Sequence, residues 1–140
     1  MRSLGLDIGD RRTGVAISDS QGILAIPLAI IENKDEDATI ANIIKLAERY
    51  EAECIVVGLP YSLNGSLGQQ ANKVTAFVSK LSQHTGVDIQ LWDERLSTVA
   101  ADKLMIEAGT KRNKKKQRRD AMAAAFILQG FLDSLSLRAK

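Results

Sequence analysis

Three runs near the N-terminus decide the fold. They are Ser3-Leu4-Gly5-Leu6-Asp7-Ile8-Gly9, then Thr13-Gly14-Val15-Ala16-Ile17-Ser18, then the apolar stretch from Ile23 to Ile31. Each is short and apolar, and the third is rich in β-branched residues, the composition of strands. The tight polar link Gly9-Asp10-Arg11-Arg12 joins the first two. Short links between successive strands make an antiparallel meander. Pro27 cannot donate to a ladder, so the third strand is expected at an exposed edge or a bulge.

Downstream the period changes. Ile40, Ile43, Ile44, Ala47 and Tyr50 fall at helical spacing after Asp35-Glu36-Asp37, whose negative charge suits a helix start. Residues 53–59 form a short apolar run, read as a strand buried on both faces. A Gly/Asn/Ser-rich loop from Pro60 to Gly68 leads into a second helix with Ala71, Val74, Phe77, Val78 and Leu81 inward. Val87 to Trp92 reads as a fifth strand, ending at Asp93-Glu94-Arg95. A third helix is expected from Ser97 or Thr98 to Gly109, and a last, alanine-rich helix from Asp120 to about Leu135. The whole predicts one α/β domain over residues 1–140: a five-stranded mixed sheet, three meander strands and then alternating helix and strand, flanked by helices.

Composition narrows the classes. The 140 residues are 45% hydrophobic and 26% charged, the balance of a folded globular protein. The longest apolar run, Ile23 to Ile31, falls well short of the roughly 20 residues of a membrane-spanning helix. Asp7 arrives too early for a signal peptide's apolar core. A single cysteine excludes an internal disulfide, and one histidine with one cysteine excludes a structural zinc cluster. A cytoplasmic protein with no membrane association is expected.

The net charge of +2 hides an asymmetry. Seven basic residues crowd between positions 111 and 119: Lys111, Arg112, Lys114, Lys115, Lys116, Arg118 and Arg119. Without these seven, 12 basic residues face 17 acidic ones, leaving a body of charge −5. A dense basic segment on an acidic body points to a polyanionic partner; a solvated loop without a partner is the plainer alternative.

The carboxylates carry the chemical signal. Asp7 interrupts an apolar strand, where an unpaired charge is costly. Asp93 and Glu94 stand at the end of another strand, where sites gather in open sheets, and Asp120 stands on the first turn of the last helix. Acids without His or Cys suit hard cations, Mg²⁺ or Mn²⁺, and two such ions about 4 Å apart assist phosphodiester cleavage. Taken singly, Asp93 is also a turn residue, Glu94 a partner for Arg95, and Asp120 a helix-start charge. Arg12 is read either as a phosphate contact or as a partner of Asp10 or Asp19. Trp92 is read as core or as a base-stacking platform, Cys54 as core, and His84 as a polar helix end.

Four blocks in order then resemble the YqgF/RuvX family: residues 7–19 (Asp7-Ile8-Gly9-Asp10-Arg11-Arg12-Thr13-Gly14 onward), Val56-Val57-Gly58-Leu59-Pro60 with Gly65, Asp93-Glu94-Arg95-Leu96-Ser97-Thr98, and Asp120 to Gln129. The resemblance implies a ribonuclease H-like fold, kin to the RuvC Holliday-junction resolvases. It also implies a nuclease linked to maturing the 5′ end of pre-16S ribosomal RNA. By motif, Asp7, Glu94 and Asp120 match the family's catalytic, metal-holding acids. The motif match selects Glu94, with Asp93 as the neighbour that replaces or assists it; successive strand side chains face opposite ways, so the two are not expected on one metal. Arg12, Arg95 and the 111–119 segment are the expected nucleic-acid contacts, the segment as a loop that orders on binding. Structured RNA is the favoured partner, with pre-30S particles and branched DNA as further ones, and the protein is expected as a monomer or weak homodimer. A non-catalytic RNA-binding assembly factor and a junction resolvase are the competing functions.

Overall fold

The structure, a computed structural model, describes residues 1–60, 68–94 and 115–138, and for 115–120 and 137–138 the helix path alone. Strands β1 (Ser3–Ile8), β2 (Arg12–Ser18) and β3 (Ala25–Glu32) are followed by helix α1 (Glu36–Arg49), strand β4 (Cys54–Leu59), helix α2 (Gln69–Ser82), strand β5 (Asp88–Asp93) and helix α3 (Lys115–Arg138). The sheet order is β3-β2-β1-β4-β5, with the meander antiparallel and β4 and β5 parallel to β1. The expected mixed sheet is present. The helix expected over 97–109, Gly65 and most of the 60–68 loop lie outside the described residues.

Pro27 does what its missing N–H requires. β3 is a sheet edge, and its register with β2 shifts between Val15 and Ala16, opposite Ala29 and Pro27. The start of β3 is tied down from a distance: Gln129 of α3, a buried residue, accepts from the Ala25 amide at 2.9 Å and donates to the Ile23 carbonyl at 2.9 Å.

Strand alternation splits the core in two. Leu4, Leu6, Val15, Ile17, Ile55 and Val57 face α1 and α2, where they pack against Ile40, Ile43, Val74, Phe77 and Leu81. Each such buried side chain contributes about 1.5–3 kcal/mol. Ala16, Cys54 and Val56 face α3, where Ala124, Ala125, Ile127 and Leu128 cover them. Cys54 is therefore core, and burial pushes its thiol up to about 11, far from reactive.

One element boundary differs from expectation. The last helix begins at Lys115, so Asp120 is its sixth residue and does not open it. Lys115, Lys116, Arg118 and Arg119 accordingly ride on helical backbone and not on a loop. Lys, Arg and Gln are good helix formers, and here that propensity prevails over cationic crowding at a helix N-terminus. No helix among the described residues is long and apolar enough to cross a membrane.

Candidate active site

The α3 face of the sheet is cleared of side chains where the acids meet. On β1, Gly5 lies beneath α3; a Cβ there would come within 2.7 Å of Leu128 Cβ and 3.0 Å of the Ala124 carbonyl oxygen. Two residues on, Asp7 shares that face. Its β2 partner is Gly14, and on β4 the ladder pairs Leu6 with Val57, so Gly58 comes next beside Asp7. Asp7 thus stands between two glycines, with no side chain to either side of it on the sheet.

Glu94 reaches the same floor from β5. Trp92 and Glu94 lie two apart on the α3 face, and Trp92 packs edge-on against Phe131, ring centroids 5.9 Å apart, so Trp92 is a packing residue. The Glu94 amide donates to the Leu59 carbonyl at 3.2 Å, extending the strand by one step. Its carboxyl group lies over Gly58: a Cβ at Gly58 would be 2.7 Å from Glu94 Oε1, 3.0 Å from Glu94 Cγ, and in collision with Ile127 Cδ1. Gly58 is therefore required for close approach.

Electrostatics register the convergence. The half-buried Glu94 carboxyl is pushed up to about 7 from its ordinary 4.5, first by desolvation, then by the negative charges of Asp7 and Asp93. All three causes act in the same direction, against the charged form. A carboxylate crowded by other carboxylates fits a hard divalent cation, which would reverse the penalty, and does not fit a soft metal. Among the described residues no group of three or more His, Cys, Asp or Glu is gathered, so the site there rests on two carboxylates.

Helix α3 brings the third acid's backbone toward them. Gln129 sits at the start of β3, a level that the register Ser18↔Ala25 and Leu4↔Ile17 links to the start of β1. Ala124 and Leu128 sit over Gly5, so the helix runs back along β1 toward its end. From Ala124 to Asp120 is about 6 Å of helix, and from Gly5 to Asp7 about 7 Å of strand. The Asp120 backbone thus falls on the Asp7 side of the helix; its side chain lies outside the described atoms.

The other expected contacts are dispersed. Arg12, at the start of β2, has its Nε 3.9 Å from Glu32 Oε1, with Glu32 largely exposed. Asp10 and Asp19, the alternatives to phosphate as partners for Arg12, have contacts of their own. Asp10 pairs with Lys73 at 3.5 Å, and Asp19 accepts the Ile23 amide at 2.7 Å, a bond that holds its carboxyl below the usual range. His84 lies just past α2, where its amide donates to the Leu81 carbonyl at 3.0 Å. Arg95, Lys111, Arg112 and Lys114 lie outside the described residues, as do the side chains of Lys115, Lys116, Arg118 and Arg119.

A five-stranded mixed sheet of this order, with helices on both faces, is the ribonuclease H-like fold. The chain superposes with a TM-score of 0.64 on Thermus thermophilus RuvC in complex with a Holliday junction, over 97% of this chain and 96% of that one at 14% identity. On the fowlpox virus resolvase with its Holliday junction DNA the score is 0.58, over 96% and 99% at 12% identity. At that identity the likeness speaks for the fold alone.

Sequence comparison goes further. Residues 1–134 match the RuvX family, described as Holliday junction resolvase, and the chain belongs to that family. A protein of Clostridium botulinum strain Hall is 48% identical over 136 residues, 97% of this chain and 99% of the relative; one of Clostridium kluyveri is 47% identical over the same span. Both carry the name "Putative pre-16S rRNA nuclease".

Proposed function

We propose that this chain is a divalent-cation-dependent nuclease that hydrolyses phosphodiester bonds in structured nucleic acid, with the 5′ end of pre-16S rRNA as its substrate. The observation that carries the reading is the Glu94 carboxyl, raised to about 7 by burial and by Asp7 across a glycine floor. Such mutual repulsion is costly for a purely structural pair and is relieved by a divalent ion. Family membership and the names of the relatives support the same activity.

In this reading Asp7, Glu94 and Asp120 hold Mg²⁺ or Mn²⁺, as two ions. When bound, the ions supply the charge neutralisation and water activation that phosphodiester hydrolysis needs. Asp7 and Glu94 fix the oxygen donors from two different strands, so their spacing is set by the sheet and not by flexible loops. The glycines beside Asp7 leave room for a phosphodiester to approach. Arg12 exchanges its long contact with the exposed Glu32, a pair worth little, for a phosphate oxygen. Arg95 and the basic residues from Lys111 to Arg119 grip the backbone on either side. Pre-30S particles are the setting, the cytoplasm the location, and a monomer or weak homodimer the working form.

The test incubates wild type and Asp7→Asn with end-labelled pre-16S leader RNA and with a four-way DNA junction, each in Mg²⁺, in Mn²⁺ and in EDTA. Metal-dependent cutting of the RNA that disappears in Asp7→Asn is expected. Wild-type cutting by the mutant refutes the assignment. Cutting of the junction alone makes the protein a resolvase, and binding of RNA without cutting by either protein makes it an assembly factor.

A further inference from the structure

We propose that Asn33 is a positioning residue for Asp7: it clamps the turn between β1 and β2 and so fixes the end of the strand that carries the acid. The proposal rests on the reading of Asp7 as a metal-holding acid, and its test separates the two.

Asn33 follows β3 and reaches across the neighbouring turn with three hydrogen bonds. Its amide N–H donates to the Arg11 carbonyl at 2.8 Å, and its Nδ2 donates to the Gly9 carbonyl at 2.8 Å. Its Oδ1 accepts from the hydroxyl of Thr13, wholly buried, at 2.9 Å. The side-chain amide therefore ties the first residue of the turn to the second residue of β2, spending donor and acceptor at once. An amide side chain offers the two on separate atoms, and Gln, the other amide, is a methylene longer.

The turn is tight. The Gly9 amide donates to the Arg12 carbonyl at 2.9 Å, and a Cβ at Gly9 would stand 2.8 Å from that oxygen. Two further tethers on this turn, among the described residues, are weaker. Gln70 Nε2 reaches the Ile8 carbonyl only at 3.4 Å, and the Lys73–Asp10 pair is exposed on both sides, a kind of pair that contributes little.

The last registered pairs of the β1–β2 ladder are Asp7↔Gly14 and Ile8↔Thr13. Thr13 is thus both the ladder partner of Ile8 and the hydroxyl held by Asn33. Strand ends open more readily than centres. The clamp holds this end shut and with it the spacing of Asp7 from Glu94, the general requirement for a precise donor set.

The experiment compares wild type, Asn33→Ala, Asn33→Asp and Asp7→Asn by amide exchange and by titration with Mn²⁺ alone, read as loss of the free-ion paramagnetic signal. In Asn33→Ala, exchange at Ile8 and Gly9 accelerates while Val56 in β4 stays at the wild-type rate. Mn²⁺ binding weakens about tenfold, the low end for groups that orient metal ligands. Asn33→Asp keeps the Thr13 bond, loses the Gly9 bond and falls between; it carries the comparison if the alanine variant does not fold. Turn amides that exchange at the wild-type rate overturn the proposal, as does Mn²⁺ affinity that holds within about twofold while the turn loosens. If wild type binds Mn²⁺ no better than Asp7→Asn, the metal reading fails. The clamp is then decided by the ¹³C shift of the Asp7 carboxylate: moved in Asn33→Ala it stands, unmoved it falls.

Discussion

Replacing Glu94 by Gln tests the site without any substrate. In the folded chain its carboxyl titrates at about 7, against 4.5 ordinarily. The native state therefore holds a proton that the unfolded chain has already released between those two values. Where the native state binds more protons, stability falls as pH rises. The penalty is absent below about 4.5, grows through the window, and is complete above about 7. Unscreened, that difference is worth about 3.4 kcal/mol. The carboxyl is only half-buried, so solvent screening reduces this to about 1–2 kcal/mol. Gln keeps the shape and removes the charge. In EDTA at about pH 8, Glu94→Gln should melt roughly 3–7 °C above wild type, the shift expected for a chain of this size. The gap should close as pH approaches 4.5. Saturating Mg²⁺ should reverse the order, since a ligand at a hundred times its Kd adds about 2.7 kcal/mol to the form that binds it. Melting curves by circular dichroism across pH, with and without the ion, decide it. A Glu94→Gln protein that melts at or below wild type in EDTA at every pH refutes the reasoning.

Further predictions follow from the packing and from the charge. Gly58→Ala should displace Glu94 and Ile127, costing about 1–3 kcal/mol from overpacking, and should weaken Mn²⁺ uptake more than a comparable core change such as Val57→Ala; equal metal affinity in the two would sink the steric argument. Gln129→Leu should cost about 1–3 kcal/mol, because the Ala25 amide and Ile23 carbonyl lose their partner, with faster exchange at Ala25 as its local signature. Converting Lys115, Lys116, Arg118 and Arg119 to Gln should leave melting unchanged and flatten the salt dependence of RNA binding by about 0.7 for each phosphate no longer neutralised; an unaltered slope would remove the segment from the interface.

How far the sequence could be read depended on the range of the interaction involved. The meander, the β3 edge and the burial of β4 were legible because Pro27, alternation and short links act over a few residues. Asp7 was legible because a charge within an apolar strand stands out against its neighbours. Alternation told only that Asp93 and Glu94 face opposite ways; the family motif chose Glu94, and the carboxyl that lies over Gly58 is that of Glu94. What alternation cannot supply is register. That Gly58 clears the space for Glu94, and that Gly14 flanks Asp7, depend on how three strands slide past one another. Asn33 went unnoticed for a similar reason: an Asn after a strand is an ordinary turn residue until the partners 20 and 24 positions away are known. The start of α3 was misjudged because the run from Lys111 to Arg119 was read by its charge and not by the helix propensity of its residues.

The division of the core between the two sides of the sheet has an evolutionary consequence. The larger apolar cluster lies against α1 and α2, away from the acids, whereas Asp7 and Glu94 stand among glycines and alanines on the side of α3. Changes of acid identity on that side leave the main cluster untouched, and losing a half-buried charge removes a strain. Selection for folding alone would therefore favour loss of the Glu94 charge. Lineages that no longer need the reaction can shed its chemistry and keep the scaffold as a binding surface.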